Sequence, residues 1–185
     1  MASVLTHPAV ALGLAPAFRP GRPAVAAGAL LTILPDADSV GFWMGVPYGS
    51  PLGHRGFTHS FAFAALMGLA AFAILRRTSK TARAAAPGAL FIYLFLCAAS
   101  HGILDGMTDG GLGVAYFAPF SNARYFLPWR PILVSPISVA GFFDARGLRV
   151  LASEVVWIWI PCAVVAAVAI IANRLRFSSR GSREG

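Results

Sequence analysis

The side chains that can bind a metal ion lie in four short stretches of this sequence. His101 and Asp105 are four residues apart in HGILDGMTDGG, a spacing that places both on one face of a helix, one turn apart. A neutral imidazole nitrogen and a carboxylate oxygen held in this way can bind one divalent ion. The other stretches, THP, LPDAD and HRGFTHS, supply His7, Asp36, Asp38, His54 and His59.

We predict that five of these side chains are metal ligands: His7, Asp36, His59, His101 and Asp105. A mixed set of histidine and aspartate suits Zn²⁺ first, and also Mn²⁺ or Fe²⁺. A set of this size can hold one or two ions, as in many phosphoester hydrolases.

Three further side chains are predicted to take part in catalysis. Asp38 is assigned as general base, although the pattern leaves open which of Asp36 and Asp38 is the base and which the ligand. His54 is either a further ligand or a proton donor to the leaving group, and Arg55 holds negative charge on the substrate.

A stretch rich in aromatic residues, APFSNARYFLPWRPI at 118–132, adds a possible substrate contact. Its aromatic side chains are typical of a membrane interface. Arg124 either meets lipid phosphate or, together with Asn122 or Ser121, folds over the site and binds an anionic group of the substrate. We predict the second role for Arg124 and Asn122.

The composition indicates which elements must position these residues. Only 12% of the 185 residues are charged, 57% are hydrophobic, and the mean hydropathy is +0.70. Because a soluble domain carries roughly 25% charged residues, the chain is predicted to be an integral membrane protein.

Five apolar segments are separated by turns: 8–18, 24–34, 60–75, 84–105 and 154–173. At about 1.5 Å per residue the last two reach about 30 Å, enough to cross a bilayer core, whereas the first two reach about 16 Å. The predicted fold is an all-α membrane bundle of about four to five hydrophobic helices. A metal site lies at one end, covered by a long loop.

The basic residues indicate how this bundle is oriented. The net charge is +8, and the cationic side chains cluster at 19–22, 76–83 and 174–183. If the segments alternate in direction, these clusters share one side, which the positive-inside rule makes cytoplasmic. The histidines and Asp36, Asp38 and Asp105 then share the extracytoplasmic side. The clusters are predicted to contact lipid and not nucleic acid.

The apolar segments and basic clusters divide the chain into two parts. We predict a single membrane-embedded domain at 1–175, which includes a long extracytoplasmic loop at 106–152. A basic, disordered cytoplasmic tail follows at 176–185.

The wording and order of five motifs between residues 6 and 132 resemble the YdjM-like family. The motifs are THP, LLTILPDADSVG, HRGFTHS, HGILDGMTDGG and PFSNARYFLPWRPI. Members of that family are described as LexA-regulated, membrane-bound, metal-dependent hydrolases of the bacterial inner membrane. The resemblance therefore implies a hydrolase in that membrane.

A more distant similarity is to the zinc-dependent phospholipase C and nuclease group. His7, Asp36 or Asp38, His59 and the pair His101 and Asp105 follow the order of zinc ligands in that group. The group also uses a second helical pair of His and Glu, and this sequence has no such pair after Asp105. The similarity therefore implies one or two ions and not three.

The predicted function is metal-dependent hydrolysis of a phosphoester or lipid-linked substrate at the extracytoplasmic membrane surface. One alternative is a metal-binding or metal-transport protein, but segments 61–75 and 155–171 contain no ionisable residue that could pass an ion. The other is a structural protein with a metal-stapled helix end, but such sites are closed sets of four ligands, and this sequence offers more.

Overall fold

The computed structural model describes residues 2–135 and 145–181. All regular elements in these residues are helical. The α-helices are α1 (Pro8–Phe18), α2 (Arg22–Ile33), α3 (Val40–Trp43), α4 (Phe61–Thr78), α5 (Lys80–Ala84), α6 (Pro87–Gly106), α7 (Ala145–Glu154) and α8 (Ile160–Gly181). A 3₁₀ turn, Leu34–Ser39, follows α2, and a second, Phe57–His59, precedes α4. A π turn, Val155–Trp159, joins α7 to α8.

Four helical stretches are long and apolar enough to cross a membrane: Arg22–Trp43, Phe61–Thr78, Pro87–Gly106 and Ala145–Arg176. Helix α1 has 11 residues and at about 1.5 Å per residue is too short to cross by itself. The predicted all-α membrane bundle of four to five hydrophobic helices is therefore confirmed.

Helix α6 is the centre of the bundle and packs on α4, α2 and α1. Its apolar residues, including Leu90, Tyr93, Leu94 and Cys97, form the main buried core. The Tyr93 hydroxyl donates to the carbonyl oxygen of Ala11 at 2.9 Å, which ties α6 to α1. A buried phenol in a membrane needs such a partner because lipid offers none.

Helix α1 also packs on α8, and Gly13 makes this contact close. A Cβ atom at Gly13 would lie 2.9 Å from the Cβ of Cys162 and 3.0 Å from its carbonyl oxygen. Small residues allow such close approach between membrane helices. The opposite side of α8 carries exposed Val164, Val168 and Ile171, as expected for a helix that faces lipid.

Two helix boundaries differ from the sequence pattern. The sequence segment 24–34 stops before Pro35, but the helical path does not, because the chain continues through the 3₁₀ turn Leu34–Ser39 into α3. The last helical stretch begins with α7 at Ala145, inside the predicted connection 106–152. Its sequence ARGLRVLASE is amphipathic and buries Val150. Helix α8 continues to Gly181, and residues 182–185 of the predicted tail lie outside the described residues.

The long connection folds back onto the ends of α4 and α6. Its backbone pairs with itself at Val114 and Tyr125 in an isolated antiparallel bridge. The Tyr116 hydroxyl donates to the carbonyl oxygen of Gly102 at 3.0 Å, and the Tyr116 carbonyl accepts from the backbone N–H of Phe61 at 3.0 Å. The connection thus joins the helix ends that carry the predicted ligands.

Candidate metal centre

The end of α6 carries two predicted ligands, His101 and Asp105, on its buried face. Gly102 lies between them and touches the turn that carries His59. A Cβ atom at Gly102 would lie 2.6 Å from the His59 carbonyl oxygen, closer than any real contact allows. The glycine therefore sets how closely His59 can approach His101.

His59 ends the 3₁₀ turn Phe57–His59, directly before α4. Ser60 is the N-cap of α4, and its hydroxyl accepts from the backbone N–H of Phe63 at 3.1 Å. The cap fixes where the turn ends and the helix begins. His59 is therefore held at the top of α4, with carboxylates near both ring nitrogens.

Asp36 and Asp38 lie in the 3₁₀ turn Leu34–Ser39 after α2. A 3₁₀ turn has about three residues, so side chains two positions apart point to different sides. Asp36 Oδ1 is 3.3 Å from His101 Nε2, whereas Asp38 Oδ1 is 2.7 Å from His54 Nδ1. The two carboxylates therefore serve different neighbours.

The main cluster consists of Asp36, His59, His101 and Asp105. One ligand atom from each lies within 4.8 Å of the others, and all four residues are buried. The Nε2 atoms of His59 and His101 are 3.0 Å apart, and Asp105 Oδ2 is 3.5 Å from His59 Nε2. This spacing suits one divalent ion, whose nitrogen and oxygen ligands lie about 2.0–2.2 Å away.

Hydrogen bonds fix which nitrogen of each ring faces the cluster. His101 Nδ1 is 2.7 Å from the carbonyl oxygen of Thr32, which can only accept, so this nitrogen carries the proton. His59 Nδ1 is 3.2 Å from Asp38 Oδ2, another acceptor. In neutral rings both Nε2 atoms then present lone pairs to each other. The arrangement is repulsive unless a cation, either a proton or a metal ion, lies between them.

Several buried polar atoms here make no hydrogen bond to any residue that the structure describes. They include both carboxylate oxygens of Asp36, both ring nitrogens of His7 and Oδ2 of Asp105. Buried polar groups almost always have a partner, so such exceptions require an explanation. Coordination of a cation would satisfy them, which makes this donor set a good fit for a metal.

His7 lies at the edge of the main cluster. Its ring stacks on that of His101 with centroids 4.0 Å apart, and its Nε2 is 4.0 Å from Asp105 Oδ1. Burial, followed by the nearby His101, lowers the pKa of His7 to about 3, so its imidazole is neutral. The structure thus brings four of the five predicted ligands into one cluster and places His7 at its edge, and their binding of metal stays a prediction.

The raised pKa of His59 indicates that the main cluster attracts positive charge. Burial by itself would lower that pKa, but the surrounding carboxylates, that of Asp105 most, raise it to about 10. Without a metal, His59 therefore holds a second proton at neutral pH. A bound cation would replace that proton.

The side cluster consists of Asp38, His54 and His59, so it shares His59 with the main cluster. Both Asp38 oxygens are engaged: Oδ1 meets His54 Nδ1 at 2.7 Å, and Oδ2 accepts from the Thr58 hydroxyl at 2.5 Å. Asp38 and His54, predicted for catalysis, therefore lie beside the main cluster. Their catalytic roles stay predictions.

Arg55 is fully buried and adopts a left-handed backbone conformation with φ of 61°. Its Nε is 2.9 Å from Asp105 Oδ2, and its terminal nitrogens donate to the Gly110 carbonyl oxygen at 2.9 Å and the Thr108 hydroxyl at 3.0 Å. Few residues other than glycine accept a positive φ, which indicates a site held in place by its surroundings. The guanidinium holds Asp105, and its predicted contact with substrate stays a prediction.

The two residues predicted to bind substrate, Arg124 and Asn122, have different surroundings in the structure. Arg124 donates to the carbonyl oxygens of His54, Tyr48 and Ser50 at 2.9–3.1 Å. It therefore fastens the loop before α4 to the long connection. Asn122 is exposed on that connection. The structure leaves both substrate contacts as predictions.

Sequence reasoning missed one buried acid, Glu154, at the end of α7. It is 0% exposed and accepts hydrogen bonds from Ser3 and Thr6, which precede His7. An acid at the start of an otherwise apolar segment is the signal that could have identified it, because such residues in membrane proteins are costly unless they have a role.

The fold and the cluster define a helical membrane protein with a buried set of histidine and aspartate side chains that is able to hold a metal ion. The YdjM inner membrane protein family matches residues 1–176, and the chain belongs to this family. The family predicted from the sequence motifs is thereby confirmed.

One curated relative is similar to the chain over most of the length of both proteins. The chain is 40% identical to the inner membrane protein YbcI of Escherichia coli (strain K12) over 167 residues, which cover 87% of this chain and 92% of the relative. No solved structure gives a significant match to the chain.

Proposed function

We propose that this protein is a metal-dependent hydrolase that acts on a phosphoester or lipid-linked substrate at the extracytoplasmic surface of the inner membrane. The observation that carries the proposal is the main cluster, where two imidazole lone pairs and the carboxylates converge. Zn²⁺ is the preferred ion, since two histidines and two aspartates suit it, and Mn²⁺ or Fe²⁺ are alternatives.

The chain's own residues have distinct roles in this proposal. A divalent ion held there lowers the pKa of a bound water and polarises a phosphoryl or acyl oxygen. Asp36, His59, His101 and Asp105 hold the ion, and Asp38 orients His59 through its Nδ1. His54, held by Asp38, moves a proton to the leaving group, and Asp38 stays the predicted base.

The distribution of charge supports the extracytoplasmic side. Arg76, Arg77, Lys80 and Arg83 lie around the turn between α4 and α6, at the start of α6. The ligands His101 and Asp105 lie at the other end of that helix, 14 or more residues away and so about 21 Å distant. If the basic turn is cytoplasmic, the cluster faces the opposite side.

The surface near the cluster supports a lipid-linked substrate. The chain at this end of the bundle exposes large apolar side chains: Trp43, which ends α3, is 89% exposed, and Phe120, in the long connection, is 91% exposed. Large apolar groups in loops next to membrane helices are typical of a surface that lies in the lipid interface. A substrate anchored in the leaflet would reach the cluster from there.

The first test is metal analysis of the protein purified in detergent after supplementation with Zn²⁺. We expect stoichiometric metal in the wild type and background metal in His101→Ala and Asp105→Ala. Asp109→Asn is the matched control, because Asp109 is an exposed acid that follows α6 by three residues. A wild type without stoichiometric metal would overturn the proposal.

The second test separates hydrolysis from metal binding. The metal-loaded wild type is assayed against a panel of phosphoester lipids, beside His54→Ala. We expect His54→Ala to keep its metal and to lose about 100-fold or more in rate, as is usual for a general acid. A protein that binds metal and hydrolyses nothing in the panel would favour metal transport or a structural metal staple.

A further inference from the structure

Glu154 is a buried acid that the proposed mechanism does not use. It ends α7 within the last candidate membrane span and is 0% exposed. We infer that Glu154 is a positioning residue for the metal centre: it holds segment 2–7 so that this segment closes the main cluster. The inference rests on the proposed function and names a residue through which that site is assembled.

Among the described residues, the hydrogen bonds that the Glu154 carboxylate accepts all come from one short segment of the chain. Its Oε1 accepts from the backbone N–H of Ser3. Its Oε2 accepts from the Ser3 hydroxyl at 2.6 Å and from the Thr6 hydroxyl at 2.7 Å. The indole N–H of Trp159, in the π turn, donates to the same Thr6 oxygen at 3.2 Å. Hydrogen bonds to a carboxylate are about twice as strong as neutral ones, so this anchor is firm.

The same segment meets the main cluster on its other side. The backbone N–H of Ala2 donates to Asp105 Oδ1 at 2.9 Å. His7 stacks on His101 and directs Nε2 toward Asp105 Oδ1 at 4.0 Å. Because the Thr6 N–H donates to the Ser3 carbonyl oxygen at 3.0 Å, these residues form one turn and move together. A displacement of Ser3 and Thr6 would therefore displace Ala2 and His7 as well.

The position of Glu154 explains how an acid so far in sequence from the metal ligands can affect them. Segment 2–7 precedes α1, and its residues pack among α6, α7 and the π turn. Residues that do not touch the metal but orient its ligands are typically worth about 10- to 100-fold in metal affinity. We expect Glu154 to act at this level.

The main experiment compares Glu154→Gln with wild type in the full chain, purified in detergent. Affinity for Zn²⁺ is measured by competition with a chelator, and the Co²⁺-loaded form gives an absorption spectrum that reports ligand geometry. We expect about tenfold or greater loss of Zn²⁺ affinity and a changed Co²⁺ spectrum. Val156→Ala, at an exposed position two residues away, should match wild type in both.

A merely structural anchor predicts a different result. Glu154→Gln would then lower the thermal unfolding midpoint while the folded protein kept wild-type Zn²⁺ affinity and Co²⁺ spectrum, and that outcome would overturn the inference. If Glu154→Gln does not fold, Thr6→Val replaces it, because it removes the hydroxyl shared by Glu154 and Trp159 and keeps the volume similar. We then expect a smaller loss of affinity, and an unchanged affinity overturns the inference.

A double-mutant cycle with His7→Ala tests the route. If Glu154 acts through segment 2–7, its substitution should cost less affinity when His7 is already absent. An equal loss in both backgrounds would contradict that route. A wild type without metal would overturn the proposed function and this inference together, whereas wild-type affinity in Glu154→Gln would overturn the role of Glu154 alone.

Discussion

The main cluster and the side cluster contain the same kinds of side chain and share His59, yet they differ in how their polar atoms are satisfied. In the side cluster, Asp38 meets His54, Thr58 and His59, so both of its oxygens are occupied. In the main cluster, both oxygens of Asp36 make no hydrogen bond to any described residue. The number of histidines and aspartates therefore does not identify a metal site, whereas unsatisfied buried donors and acceptors do.

Asp36→Asn gives the largest expected contrast. The change keeps the shape and removes one anionic ligand, so Zn²⁺ affinity should fall by more than ~100-fold, since outer partners alone are worth about 10- to 100-fold. The unfolding midpoint of the metal-free protein should fall less than in Asp38→Asn, because Asp36 loses its attraction to the protonated His59 but leaves no hydrogen-bond donor without a partner. Chelator competition and thermal unfolding measure the two effects. A lower midpoint with normal Zn²⁺ affinity would reverse the assignment of the two clusters.

Asp38→Asn should give the complementary pattern. Zn²⁺ affinity should fall by about 10- to 100-fold, because the carboxylate no longer orients His59 through Nδ1. The metal-free protein should also lose about 1–3 kcal/mol of unfolding free energy, since the partners of a buried charged acceptor are left without it. Denaturation in mixed micelles measures this second effect. Unchanged stability would show that the hydrogen bonds of the side cluster are not needed.

The pH dependence follows from the raised pKa of His59, about 10, against about 6.5 in the unfolded chain. The second proton on His59 stabilises the metal-free protein fully below about pH 6.5, and this contribution is lost as the pH rises toward 10. Zn²⁺ must displace that proton, so its affinity should rise by up to about tenfold per pH unit between these values. Calorimetry in buffers of different ionisation enthalpy should detect about one proton released per ion. No proton release would show that His59 is neutral in the metal-free protein.

Gly102→Ala should produce the smallest of these effects. Its Cβ would lie 2.6 Å from the His59 carbonyl oxygen, so α6 and the His59 turn must separate. We expect a severalfold loss of Zn²⁺ affinity and about 1–3 kcal/mol of destabilisation, as for other overpacked sites. Gly88→Ala on the same helix is the control, because nothing lies within 4 Å of the Cβ it would add. A Gly102→Ala variant that matches Gly88→Ala in stability and Zn²⁺ affinity would show that the close contact does not set the position of His59, since helix propensity by itself favours alanine at both sites.

Much of the fold and of the cluster could be predicted because both depend on local patterns. The segment 8–18 matches α1 residue for residue, since Pro8 can begin a helix and RPGRP interrupts it. The alternation of apolar segments predicted that the histidines and aspartates share one end of the bundle. The pairing of each carboxylate could not be predicted, because the directions of Asp36 and Asp38 depend on a 3₁₀ turn that the sequence does not reveal.

Glu154 shows a second limit of sequence reasoning. Its partners Ser3 and Thr6 are 151 and 148 residues away, so no spacing pattern connects them. Arg55 shows the same limit: its charge suggested a contact with substrate, which stays a prediction, and the sequence did not indicate that its guanidinium is enclosed by Asp105, Thr108 and Gly110. In both cases the decisive information is which partner the folded chain brings near.

The π turn Val155–Trp159 has a consequence for the direction in which Glu154 faces. A π turn adds about one residue to a helical turn, so the residues before it are rotated by about 100° from where an uninterrupted α-helix would place them. This phase shift lets one continuous helix present an acid to the protein interior at one end and an apolar surface to lipid along the rest. If the turn became regular α-helix with all of its residues kept, Glu154 would rotate by about 100° away from Ser3 and Thr6, whereas deletion of a single residue from the turn would restore the α-helix and leave Glu154 facing as it does now.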